Sequence, residues 1–143
     1  MAKRKAGRQR AFRPRALERY AHRDLHPRMH PGEHVWRYTV VVPVVQLLPR
    51  HRVKATVQDL LALEKMLLEH FGGATRLPRL SGYGLRNPWG RPRPPELNEH
   101  MPLMVYAAPL PASDDYFRAL QRELQDALDE GLILVERLEA TLL

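Results

Sequence analysis

The sequence predicts an α+β fold of four antiparallel strands and two helices. Three observations carry this. Residues 38–48, YTVVVPVVQLL, form a β-branched apolar run of strand length. Two later segments show helical apolar spacing behind a capping residue, and each is closed by a glycine. The series strand, capped helix, glycine stop, strand then occurs in both halves, giving the order β-α-β-β-α-β. Right-handed crossovers place both helices on one face of the sheet and make the first and third strands central.

The strand at 38–48 organises the rest. With a period of two, Trp36, Tyr38, Val40, Val42, Val44 and Gln46 share one face, and Arg37, Thr39, Val41, Pro43, Val45 and Leu47 share the other. Both faces are apolar in the middle, whereas a half-solvated strand alternates apolar with polar. Both therefore need cover. The helices supply one layer. The short helix after Pro14 is one candidate for the other, and the main expectation is a homodimer, with two sheets face to face or the N-terminal segment of one subunit lying across the other. Pro43 has no N–H, so it marks a bulge or a position where that donor is not needed.

In chain order, residues 1–13 are charged and lack apolar periodicity, as in a disordered arm. Pro14 opens a short helix whose stripe is Leu17, Tyr20, Ala21 and Leu25, and Pro27 and Pro31 end it. The division expected is an arm over 1–34 and a domain over 35–143. After the central strand, Thr56 caps a helix with Asp59 three residues on, its stripe runs from Val57 to Phe71, and Gly72 stops it. Residues 74–86 read as an edge strand interrupted by Pro78, Gly82 and Gly84. Residues 87–95, NPWGRPRPP, read as a stiff loop, and 99–108 as the third strand. Ser113 is the expected cap of the second helix, with Asp114 and Asp115 at its positive end and Gly131 as its stop. Residues 132–142 are the last strand.

Over residues 35–143 this pattern resembles the ferredoxin-like superfold. The stretches FGGATRLPRLSGYGL, ELNEH and MVYAAP are similar to small, functionally uncharacterised bacterial domains of that fold. In those, a Phe-Gly-Gly-x-Thr turn leads through a glycine-rich strand to a glutamate before the next strand. The resemblance implies a four-stranded antiparallel sheet with two helices on one face. It implies no catalytic residue, because the fold hosts many unrelated functions.

A length of 143 residues fits one domain, and 44% hydrophobic content is enough for a core. With no cysteine there is no disulfide framework, thiolate metal site or thiol nucleophile, which fits a reducing compartment and a cytoplasmic protein. No apolar run is long enough to span a bilayer, and the basic start lacks the apolar stretch of a signal peptide. The net charge of +7 is uneven: residues 1–37 hold eleven Lys/Arg against Glu18, Asp24 and Glu33, giving +8, and the rest carry −1. Such asymmetry suggests an anionic partner.

That makes the basic arm, Lys3, Arg4, Lys5, Arg8, Arg10, Arg13 and Arg15, the first candidate site, for nucleic acid or an acidic protein through residues 1–15. Phe12 and Tyr20 are positioned in the sequence to add base stacking. His22 and His26 are the histidines that fit one helical turn and so the candidate metal pair, though their spacing matches no closed zinc pattern. Glu99 and His100 before the third strand, and Glu136 between Leu134 and Leu138, are candidate acid/base groups for an alternative reading, a small enzyme of the dimeric α/β-barrel type. The structural alternative for Glu136 is an ion pair with Arg76, Arg79 or Arg86. Tyr83, Trp89 and Glu96 are candidates for a ligand pocket beside the proline-rich loop. No nucleotide-loop or hydrolase motif is present, and no cofactor is expected.

Overall fold

In a computed structural model, the described residues are 10–85 and 95–143. They form eight regular elements: β1 (His34–Leu48), β2 (Arg52–Val53), α1 (Val57–Phe71), β3 (Thr75–Arg76), β4 (Leu80–Leu85), β5 (Pro95–Ala107), α2 (Pro111–Leu128) and β6 (Val135–Thr141). Two short 3-10 segments, Pro14–Tyr20 and Arg23–Leu25, precede them.

The expected four-stranded ferredoxin-like sheet with two helices is corrected. The sheet has six strands, every pairing is antiparallel, and it curls. Two features of the chain account for this. β1 and β5 are 15 and 13 residues long, so one edge of β1 accommodates two neighbours, β6 along residues 34–40 and β2 at 45–46. Pro78 lacks an N–H and divides the expected second strand into β3 and β4, both paired to β5. The pair β1 and β5 is central, with β6 and β2 on one side and β3 and β4 on the other.

The register between β1 and β5 shifts at the proline. Pro43 lies opposite His100 and Val45 opposite Glu99, leaving Val44 as the extra residue of a bulge. A one-residue shift exchanges faces. Beyond the bulge Gln46 is therefore in one row with Asn98 of β5 and Arg52 of β2.

The core lies between the helices and one face of the sheet. Tyr38, Val40, Val42 and Val44 of β1 and Met101, Leu103, Val105 and Ala107 of β5 are buried there. Tyr38 stacks on Phe117 of α2 with ring centroids 3.9 Å apart, and Phe71 of α1 meets Tyr116 edge-on. α1 begins in a capping box: Thr56 Oγ1 accepts from Asp59 N at 3.1 Å and Asp59 Oδ2 accepts from Thr56 N at 2.9 Å. It ends at Gly72, whose φ of 87° favours glycine. α2 departs from expectation at both ends. Pro111 opens it after Leu110, and Ser113 lies inside its first turn, donating to Ala108 O at 2.7 Å. Asp129, at φ 52°, ends it two residues before Gly131.

Residues 10–25 pack onto the same core, where Phe12, Leu17 and Leu25 are buried. The second face of β1 is covered less evenly among the described residues. Val35 and Pro43 are buried on it, Arg37, Thr39 and Val41 are half-buried, and Leu134 and Leu138 beside them are exposed.

Candidate functional site

The N-terminal segment combines fixed backbone with free charge. Glu123 of α2 anchors it: Arg10 donates to both carboxylate oxygens at 2.7 and 2.5 Å, and Arg13 N donates to Oε2 at 3.1 Å. The arginine side chains at 13, 15, 19, 23 and 28 are exposed, with only Glu18 and Asp24 among them as exposed acids. Of the residues expected to bind nucleic acid, Arg10 is thus committed internally, while Arg13 and Arg15 face solvent. Lys3, Arg4, Lys5 and Arg8 lie outside the described residues. Phe12 does not serve as a stacking platform, because it is buried and its N–H donates to Asp59 Oδ1 at 3.3 Å. Tyr20 is half-buried, and Arg19 covers its ring at 4.9 Å while donating to its hydroxyl. Arg19, Arg23 and Arg28 extend the cationic run past Arg15. Their charge was visible in the sequence; their exposure follows from Leu17 and Leu25 turning inward.

The acid/base candidates do not converge. Glu136 lies opposite Thr39 and His100 opposite Pro43, four residues further along β1, or roughly 13 Å at strand rise. Glu99 pairs with Arg79 at 3.5 Å, the structural role suggested for Glu136 instead. Arg76, another partner proposed for Glu136, is held by Glu64 at 2.6 Å. His100 is half-buried, and that burial lowers its pKa from the ordinary histidine value, favouring the neutral ring. Glu136 is exposed.

Of the pocket candidates, Trp89 lies outside the described residues. Tyr83 is placed by its backbone, opposite Leu97, and Glu96 is buried opposite Gly84. His22 and His26 are both exposed and flank the second 3-10 segment as its boundary residues rather than sharing a helical face. Among the described residues, no group of three histidines or carboxylates is placed to hold a metal ion.

Two further polar arrangements had no signal in the sequence. At the bulge, Arg52, Gln46 and Asn98 form one cross-strand row. Arg52 Nε, both amide atoms of Gln46, and Asn98 Oδ1 are buried without a hydrogen-bond partner among the described residues. Next to it Lys54, only 2% exposed, reaches Glu130 at 2.9 Å and the Leu128 carbonyl at 3.3 Å. Burial pushes the Glu130 carboxyl above its usual range, and Lys54 partly offsets this. The second arrangement is a cleft of about 390 Å³ between α2 and β6, where Asp114 accepts from Tyr38 Oη and Arg137 Nη1, both at 2.6 Å. Arg137 also covers Trp36 at 4.0 Å. Every polar group in this triad is satisfied by another, which makes it a brace between sheet and helix.

No family model, no curated protein and no solved structure matches this chain. Among the described residues, no helix is long and apolar enough to cross a membrane.

Proposed function

We propose that this protein is a non-enzymatic binding module that contacts nucleic acid through its basic N-terminal segment and acts as a homodimer. One observation carries the reading. Residues 10–25 are tied to the core by Leu17, Leu25 and the Arg10–Glu123 pair, yet Arg13, Arg15, Arg19, Arg23 and Arg28 remain exposed. They continue the run of Lys3, Arg4, Lys5 and Arg8. Cations held on a fixed support neutralise phosphates and release counterions, giving strong, sequence-tolerant, salt-sensitive binding. Two copies double the contacts available to one strand. The separated positions of Glu99, His100 and Glu136 lend no support to the acid/base alternative.

Phe12 and Arg10 belong to the fold, so substitution of charge is a cleaner test than truncation. Fluorescence anisotropy with labelled single-stranded RNA and DNA, against an acidic peptide of equal charge, is the experiment. The reading expects tight nucleic-acid binding at low salt that weakens steeply as salt rises, and a clear loss for Arg13→Ser/Arg15→Ser/Arg19→Ser. Preference for the peptide would assign the segment to an acidic protein, and salt-independent or absent binding would reject both.

A further inference from the structure

The less covered side of the sheet is a defined surface. Its apolar members are Leu134, Leu138, Val41, Met104 and Tyr106, aligned by the pairing of β6, β1 and β5. Leu134 and Leu138 are 54% and 47% exposed. Two opposite charges sit among them. Arg37 lies opposite Leu138, and Glu136 opposite Thr39, so the two are diagonal neighbours on adjacent strands. Neither has an ion-pair partner among the described residues. Met104 and Tyr106 also border a hollow of about 220 Å³ with Pro27, Met29 and Gly73.

We infer that this face is the homodimer interface, with Arg37 of each protomer paired to Glu136 of the other. The inference rests on the homodimeric reading above and assigns it a surface. The patch is neutral, with one cation and one anion, so it offers a nucleic acid no excess of positive charge. It is instead self-complementary. Strands lie about 4.8 Å apart, and alternate residues about 6.7 Å apart along a strand. A two-fold axis lying in the interface and bisecting the Arg37–Glu136 diagonal then runs past Met104. It sets Arg37 against the partner's Glu136 and brings Leu134, the most exposed of these side chains, over the partner's Tyr106. The strands of the two sheets cross near a right angle, one of the two ways in which sheets pack.

Sedimentation equilibrium of the full chain tests this with two single variants, Arg37→Glu and Glu136→Arg. Each alone sets like charges against each other in the pair and should sediment as a monomer. Mixed in equal amounts they should form a heterodimer, because both cross-pairs are then opposite in charge. A diagonal contact within one chain cannot produce rescue by mixing. Circular dichroism checks that both variants fold. Leu134→Glu, at an exposed site, gives an independent variant that should also be monomeric. A wild-type dimer whose three variants remain dimeric would place the interface elsewhere and overturn this inference while leaving the homodimer intact. Monomeric single variants that fail to combine would overturn the Arg37–Glu136 pairing. A monomeric wild-type protein at all concentrations would overturn the homodimer as well.

Discussion

The guanidinium of Arg10 closes on the carboxylate of Glu123 with both terminal nitrogens, at 2.7 and 2.5 Å, joining the N-terminal segment to α2. The same carboxylate accepts Arg13 N at 3.1 Å, and Glu123 is only 7% exposed. Three hydrogen bonds, two of them charge-assisted and bidentate, thus depend on one side chain. Glu123→Ala should cost about 2–3 kcal/mol and release the segment. Limited trypsin digestion should then cut after Arg15 and Arg19 many times faster than in the wild type, with the remainder of the domain protected. Unchanged cleavage would show that Phe12 and Leu17 hold the segment without the ion pair.

Lys54 and Glu130 form a buried pair, and breaking such a pair costs more than replacing it. Lys54→Met should destabilise by about 3 kcal/mol, since it leaves Glu130 in a buried site without its cation. Adding Glu130→Gln should recover part of that loss. Denaturant unfolding of the four members of the cycle reads the coupling, and additive effects would contradict the pairing.

Gln46 is fully buried, and neither of its amide atoms has a partner among the described residues. An unsatisfied buried polar group costs about 1–3 kcal/mol, and an apolar side chain of similar length avoids that cost. Gln46→Met should raise the urea midpoint without changing the slope of the transition. A loss of stability would mean that the row of Arg52, Gln46 and Asn98 is bridged by groups that the amide satisfies.

His70 and His100 both have pKa values lowered from the ordinary 6.5, chiefly by burial, and His70 Nδ1 is 2.7 Å from Tyr116 Oη. The folded state therefore binds fewer protons than the unfolded state near and below pH 6.5. Their contribution is present above that pH and is lost as pH falls through the window beneath it. Melting temperature should be flat from pH 8 to 7 and decline below. In His70→Gln the decline should be shallower, because one of the two groups is gone. Glu130 contributes with the opposite sign, and comparison with the wild type removes it. Equal slopes in both proteins would exclude His70 as a source.

Some of the architecture was legible because local chemistry decided it. Thr56, Asp59 and Gly72 mark the ends of α1, and the two apolar faces of residues 38–48 mark a central strand. Other features depend on distance in space. The last strand was legible at 132–142, but that β1 is long enough to take β2, only two residues long, beside β6 on one edge was not. The row of Arg52, Gln46 and Asn98 exists only because Val44 bulges, and no alternation pattern reveals a one-residue shift on a partner 50 residues away. The basic run was plain in composition. That Arg10 belongs to the fold and Arg19, Arg23 and Arg28 to the surface required knowing that α2 presents Glu123 to the segment.

The most direct measurement is the slope of log affinity against log salt for a single-stranded oligonucleotide, in the wild type and in Arg13→Ser/Arg15→Ser/Arg19→Ser. Each phosphate contact on a single strand contributes about −0.7 to that slope. The triple variant should therefore flatten it by about 2 while keeping the wild-type melting temperature. An identical slope in the two proteins would contradict the assignment of nucleic-acid contact to this segment.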